Sequence, residues 1–333
     1  MTEPPVLEIR DLHVTFTAHG REIPAVRGVD LTIERGQTLA LLGESGSGKS
    51  VTAKAVMGLL DQPNARVRCA AARLGGRDLL TMSADELRGL RGSAMTLVFQ
   101  DALSALNPVL SVGDQLGELF RVHRGLSRRQ ARARSIELLD LVGIPAAARR
   151  VGDYPHQFSG GMRQRILIAM AVALEPDLII ADEPTTALDV TVQAQILELI
   201  DRLRRELGTA VLLITHDLGV AAEVSDRVAV MYAGRIVESG QAEELYDLPA
   251  HPYTGALLAA VPDLESPASE LRAIPGAPPS PADVPPGCSF APRCDRASEL
   301  CASTRPPLRL LDTGSSRYAA CHHSEEMLHG ALA

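Results

Sequence analysis

Gly43-Glu44-Ser45-Gly46-Ser47-Gly48-Lys49-Ser50 matches G-x-x-x-x-G-K-[ST], the pattern of a phosphate-cradling loop. The chemistry asks for these residue types. Glycines at 43, 46 and 48 let the backbone bend tightly and turn successive N–H groups toward phosphate oxygens. Lys49 adds a point charge for the outer phosphates, and the Ser50 hydroxyl can reach a bound Mg²⁺. The flanks agree with a real site. Thr38-Leu39-Ala40-Leu41-Leu42 suits a buried parallel strand, and Val51 to Leu60 carries apolar residues at helical spacing. The loop would then open a helix whose N-terminal dipole favours anions.

With 333 residues the chain has length for one large domain or two, and 46% hydrophobic content is ordinary for a globular protein. A net charge of −8 excludes the basic footprint of a dedicated nucleic-acid binder, so no nucleic-acid partner is expected. Lysine occurs only at Lys49 and Lys54. Met1-Thr2-Glu3-Pro4-Pro5 has no basic region followed by an apolar core, as a signal peptide would. The longest apolar stretch, Ile166 to Leu174, falls far short of the ~20 residues of a membrane span. A cytoplasmic chain is expected, with any membrane association made through partner subunits.

Residues 6–17 and 24–33 alternate apolar and polar, which predicts two strands joined by a polar turn around Gly20. Phe16 reads equally as a strand residue packed in the core or as a ring stacked on a nucleotide base. From Ser83 to Phe158 the pattern is mostly helical, with helices over 112–123 and 128–142 and a loop at 99–108 that follows a short strand, Met95 to Phe99. This block reads as an inserted subdomain. Ser159-Gly160-Gly161-Met162-Arg163-Gln164 opens another helix, with Ser159 as a candidate N-cap.

Leu178-Ile179-Ile180-Ala181-Asp182-Glu183 is a buried-strand run ending in two carboxylates, where open α/β sheets bind ligands. Asp182 can hold Mg²⁺ and Glu183 can orient an attacking water; the alternative is a solvated strand end. Val192–Leu207 reads as a helix, Ala210–Thr215 as a strand, and His216 after it as a γ-phosphate sensor. A hairpin turning at Ala233-Gly234 follows. Prolines at 262, 267, 275, 278, 279, 281, 285 and 286 mark an extended linker.

In this order the pieces resemble the ATP-binding subunit of an ABC transporter, over residues 6 to about 245. The Walker A loop is 43–50, the Q-loop glutamine Gln100, the signature 159–164 and the Walker B end Asp182-Glu183. Ala187-Leu188-Asp189 is the D-loop and His216 the switch histidine. Leu106-Asn107-Pro108, the run Thr186 to Gln195, and His251-Pro252-Tyr253-Thr254 narrow the resemblance to the oligopeptide/dipeptide importer class. Met162 in the signature and Val51 after the loop resemble the first of that class's two paired ATPases. The loop Asp101-Ala102-Leu103-Ser104 departs from the usual Asp-Pro-Met-Thr, which bears on the permease contact.

The resemblance implies an α/β P-loop fold: a mixed sheet core, an antiparallel β subdomain and an inserted helical subdomain near 84–158. The ATPase domain would span 1–255, a Pro-rich linker 256–286 and a small cysteine-rich module 287–333. Phe16 would lie under adenine and residues 43–51 would hold the phosphates. Ser50, Gln100 and Asp182 would bind Mg²⁺, and Glu183, His216, Lys49 and Gln100 would serve catalysis. Ser159, Gly160, Gly161 and Asp189 would complete the site on a second, paralogous ATPase. Two transmembrane permeases and, indirectly, an extracytoplasmic solute-binding protein would be partners, at the cytoplasmic face of a bacterial inner membrane. Nickel or another small solute in place of peptides, and a soluble non-transport ABC ATPase, are the alternative readings.

Cys288, Cys294, Cys301 and Cys321 lie within the last 46 residues, while Cys69 is isolated. In a cytosolic chain such clustering points to metal ligation rather than disulfides. Spacing alone does not choose between zinc and an iron–sulfur cluster. The stretch Pro286-Gly287-Cys288-Ser289-Phe290 through Pro292-Arg293-Cys294 resembles the C-terminal extension of the peptide importer class, which implies a [4Fe–4S] cluster. Zinc is second, and His322 and His323 read as substitute ligands or solvated tail residues.

Overall fold

The computed structural model describes residues 4–60, 63–99, 105–186, 188–260 and 274–330. The chain forms two compact units, each assembled from discontinuous segments. Glu8–Thr32, Thr38–Arg73 and Ile214–Ala333 make the unit that carries the phosphate loop; Met1–Leu7, Ile33–Gln37 and Leu74–Leu213 make the other.

In the phosphate-loop unit, strands β1 (Leu7–Ala18) and β2 (Arg21–Ile33) turn at His19-Gly20. Both turn residues have positive φ, 51° and 73°, the pairing that matches the twist of a two-residue hairpin. Strand β4 (Ala65–Arg68) lies antiparallel on β1, with Ala65 opposite Phe16. β4 and β5 (Ala71–Leu74), which also lies beside β1, were not expected. Only Ala72 and Leu74 among their residues are buried, so the strands carry little apolar signal.

All five residues of β3 (Thr38–Leu42) are buried. β10 (Arg227–Tyr232) runs parallel to β3 in register Arg227↔Leu39 to Val230↔Leu42, and β11 (Arg235–Gln241) folds back antiparallel through Ala233-Gly234. Mixed pairing is therefore built around the strand that feeds the phosphate loop. Two short strands from the C-terminal segment extend this sheet: β13 (Tyr318–Ala319) pairs with β11, and β12 (Arg309–Leu310) pairs with β13. The cysteine-bearing segment is thus part of the unit's framework. Phe290 is buried in the same cluster as Leu42, Val230, Tyr232 and Tyr253, with Cys288 and Cys294 packed against it.

Helix α1 (Lys49–Val56) follows the loop but stops short of Leu60. Met57 caps it and Gly58 turns away at φ 63°, the left-handed residue that commonly ends helices.

In the second unit, after the short β6 (Arg77–Asp78), β7 (Met95–Val98) and β8 (Leu178–Asp182) pair in parallel, and β9 (Ala210–Ile214) lies on the other side of β8. Between β7 and β8 the chain is helical. Helices α3 (Val112–Arg124) and α4 (Arg128–Leu141) are capped by Ser111 and Ser127, the latter in a reciprocal box with Gln130. Helix α2 (Ala84–Leu90) opens on a similar box between Ser83 and Glu86, and a short α5 (Ala147–Arg150) follows α4. Helices α6 (Gly160–Val172) and α7 (Val190–Leu207) complete this unit. Among the described residues no helix is long and apolar enough to cross a membrane.

Candidate functional site

Steric limits set the phosphate loop. Gly43 has φ 144°, and a Cβ there would stand 2.2 Å from the Met231 carbonyl oxygen on β10. Gly48, φ 110°, would meet Ala25 O and Met231 Cε at 2.7 Å each. Only glycine fits between these backbones. Lys49 is buried and bends back over the loop, donating to Gly43 O at 2.6 Å and Glu44 O at 3.1 Å. Ser47 Oγ is buried and, among the described residues, makes no hydrogen bond. Ser45 and Gly46 are exposed at the loop's rim, and Ser50 and Val51 are half-buried at the helix start. The amide of Glu44 donates to Tyr253 Oη at 2.9 Å.

Phe16 sits half-buried near the end of β1, which argues against a fully packed core residue. His216 is exposed, two residues past the end of β9. The following Asp217 caps helix α8 (Leu218–Val224) by accepting from Val220 N at 3.1 Å.

In the second unit, Asp182 is the last residue of β8 and Glu183 follows at φ 48°. A left-handed non-glycine residue immediately before a proline is doubly disfavoured, since Pro184 pushes its predecessor toward extended conformations. Such strain concentrates at functional sites. Thr186 fixes the carboxylate by donating to Glu183 Oε2 at 2.9 Å.

Ser159 caps α6, its Oγ accepting from Met162 N at 3.3 Å, and Ser159 and Gly160 are exposed. A Cβ on Gly161 would lie 2.6 Å from Val192 Cγ1, so that glycine lets α6 approach α7. Asp189 has a local duty as well. It caps α7 by accepting from Val192 N at 3.0 Å, which starts that helix two residues before the expected Val192. Gln100, loop 101–104 and Ala187 lie outside the described residues. Beyond that loop, Val109 and Val122 are exposed, and Leu110, Leu119, Val122 and Met170 line a groove beside α3.

Cys288, Cys294, Cys301 and Cys321 are free thiols and line one small cavity, together with His251, Phe290, His322 and His323. Both tail histidines therefore sit at the cavity wall; they are not merely solvated. His323 also bonds Ser298 Oγ at 3.0 Å. Burial raises the thiols of Cys288, Cys294 and Cys321, the last to about 11. Among the described residues no group of three or more His, Cys, Asp and Glu side chains is disposed to hold a metal ion. His251 is fully buried, which lowers its pKa to about 3 and keeps it neutral. Its Nδ1 accepts from Tyr253 N at 3.0 Å, so the ring proton is on Nε2.

Sequence reasoning missed Tyr253 and Arg293 as neighbours of the loop. The stretches 251–254 and 286–294 contain both, but only as family marks. The Arg293 guanidinium donates to both oxygens of Glu44, at 2.6 and 3.0 Å.

Profile comparison matches residues 26–186 to the ABC transporter family and residues 237–301 to the oligopeptide/dipeptide transporter C-terminal region. The chain is 51% identical to the dipeptide transport ATP-binding protein DppD of Bacillus subtilis, covering 90% of each protein. It is 49% identical to the oligopeptide transport ATP-binding protein OppD of the same organism, over 91% of this chain and 85% of that one. Among solved structures, an ATP-binding cassette captured as a post-hydrolysis dimer with ADP and Pi is 28% identical. The match covers 71% of this chain and 98% of that one, with a TM-score of 0.62. CbiO1 of Clostridium perfringens, part of an ABC transporter complex, is 27% identical over 74% and 92%, with a TM-score of 0.60. At half-identity to its relatives along nearly its whole length, with the strand–loop–helix of a phosphate site folded as that family requires, this chain belongs to the ATP-binding proteins of ABC transporters of the oligopeptide/dipeptide class.

Proposed function

We propose that the chain is the ATP-hydrolysing subunit of a peptide importer, in which ATP binding closes two ATPase subunits together and hydrolysis releases them. The observation that carries this is the pre-shaped phosphate loop: glycines forced by Met231 O and Ala25 O, Lys49 lying across it, and a buried Ser47 hydroxyl left for a phosphate oxygen. Phe16 stacks on the adenine. Ser50, Asp182 and Gln100 would hold a Mg²⁺, which would supply positive charge beside Lys49 where charge develops on the transferred phosphoryl group. Glu183, oriented by Thr186, polarises the attacking water, and His216 holds that water against the γ-phosphate.

The exposed Ser159 and Gly160, at the capped start of α6, support a second half-site that completes the nucleotide pocket of the other ATPase, with Asp189 near the same junction. A paralogous second ATPase, two transmembrane permeases and an indirectly acting solute-binding protein are the partners in this reading. The exposed apolar groove beside α3 supports permease docking at the inner face of the plasma membrane. ATPase residues 1–255, linker 256–286 and cysteine module 287–333 remain our proposed division of labour.

The four free thiols match a [4Fe–4S] cluster in donor type and number and line one cavity, although as they stand they are not disposed to hold a single metal ion, and we assign Cys288, Cys294, Cys301 and Cys321 as its ligands. When bound, such a cluster supplies four thiolate–iron bonds that cross-link the segment's loops. Buried thiols that hold their protons would release them to solvent as their thiolates bind the metal.

Reconstitution tests the function. Proteoliposomes holding the permeases and both ATPases should take up a labelled peptide and hydrolyse ATP when the loaded binding protein is added. Uptake of a nickel complex with no response to peptides would overturn the peptide assignment.

A further inference from the structure

We propose that Arg293 is a positioning residue of the ATP site, through which the cysteine segment holds the phosphate loop in its binding conformation. The proposal rests on the nucleotide reading of residues 43–50. Arg293 belongs to a helical turn, Ala291–Arg293, set between Cys288 and Cys294. Its side chain is only 4% exposed, and its polar groups are engaged from several sides. Nη1 donates to Glu44 Oε2 at 2.6 Å and Nη2 to Glu44 Oε1 at 3.0 Å. Nη1 also lies 3.3 Å from Tyr232 Oη, and Nε donates to Pro275 O at 2.8 Å. A planar bidentate grip of this kind fixes direction as well as distance.

Glu44 is held from a second side. Its amide donates to Tyr253 Oη at 2.9 Å. Phe290, three residues before Arg293, packs with ring centres 5.3 Å from both Tyr232 and Tyr253. The anchors of Glu44 are thus one assembly of Arg293, Tyr253, Tyr232 and Phe290. The carbonyl of Glu44 also accepts from Lys49 Nζ at 3.1 Å. A tilt of Glu44 therefore moves an acceptor of the lysine that meets the phosphates.

The geometry ties both ends of the lever. Cys294 follows Arg293 directly, and the amides of Cys288 and Cys294 bond within the segment, to Cys301 O at 2.8 Å and Ala291 O at 3.3 Å. Whatever holds these cysteines in place holds the guanidinium against Glu44. The consequence is specific: loosening the segment weakens ATP binding while leaving the hydrolytic groups Glu183 and His216 untouched.

Steady-state hydrolysis by the assembled transporter tests this. Arg293→Met should raise the KM for ATP about tenfold and change kcat by less than about twofold, because a charge-assisted bidentate contact is lost outside the reacting atoms. Arg293→Lys should recover part of the loss, and Glu44→Gln combined with Arg293→Met should be no worse than Arg293→Met alone. An unchanged KM in Arg293→Met, or additive losses in the double variant, would overturn the proposal. Should Arg293→Met fail to fold, Glu44→Gln decides: a raised KM supports the clamp and a wild-type KM overturns it. Lys49→Ala separates the two readings. Normal ATP binding in that variant removes the nucleotide site and the clamp with it, whereas lost binding beside a wild-type-like Arg293→Met removes the clamp alone.

Discussion

Arg317 places Nη2 2.8 Å from Oε1 of Glu238, and neither side chain meets solvent: 4% and 0% exposed. The Glu238 carboxylate also accepts from the amides of Ala250 and His251, at 2.8 and 3.0 Å. One buried carboxylate thus joins β11, the start of helix α9 (Pro252–Ala259) and the segment that bears Cys321. Removing one member of such a pair strands a buried charge, at a cost of about 3–5 kcal/mol. Arg317→Met should lower the melting temperature sharply, and Glu238→Gln with Arg317→Met should recover part of the loss. Equal melting of wild type and Arg317→Met would show that the pair does not hold this segment.

The glycines of the phosphate loop should separate by environment. Gly46 has φ 79°, but a Cβ added there would meet nothing within 4 Å, so Gly46→Ala meets only the left-handed backbone cost, roughly 1–2 kcal/mol. Gly43→Ala additionally drives a Cβ into Met231 O. Calorimetric titration with MgATP should find binding retained, though weakened, in Gly46→Ala and abolished in Gly43→Ala. Equal affinities would mean that the approach to β10 does not shape the loop.

For the cysteines, anaerobically purified protein should be brown and carry about four iron and four sulfide per chain. Cys294→Ser and Cys321→Ser should lose most of the iron, and Cys69→Ser should lose none. Stoichiometric zinc without iron would replace the cluster assignment.

Much of the fold and the candidate site was legible because the relevant signals are local. The apolar run ahead of Gly43, the acids closing β8 and the histidine after β9 each announce themselves within a few residues. The hairpins at His19-Gly20 and Ala233-Gly234 are similarly short-range. What stayed hidden is long-range or weakly patterned. Arg293 and Glu44 are 249 residues apart, and Arg317 and Glu238 are 79 apart, so no window of sequence contains either pair. β4 and β5 escape because their residues are mostly exposed. Asp189 shows a third kind of gap: a motif residue whose hydrogen bond is a helix cap.

The hydrolytic role of Glu183 is the centre of the functional reading, and one comparison tests it most directly. Wild-type and Glu183→Gln chains are assembled with their permeases and partner ATPase, and MgATP affinity and turnover are measured on the same preparations. Loss of a general base costs about 10²–10⁴-fold in rate. The expected result is ATP affinity within about twofold of wild type, since glutamine preserves the shape and the Thr186 contact, with turnover down at least about a hundredfold. Near-normal turnover in Glu183→Gln would contradict the assignment.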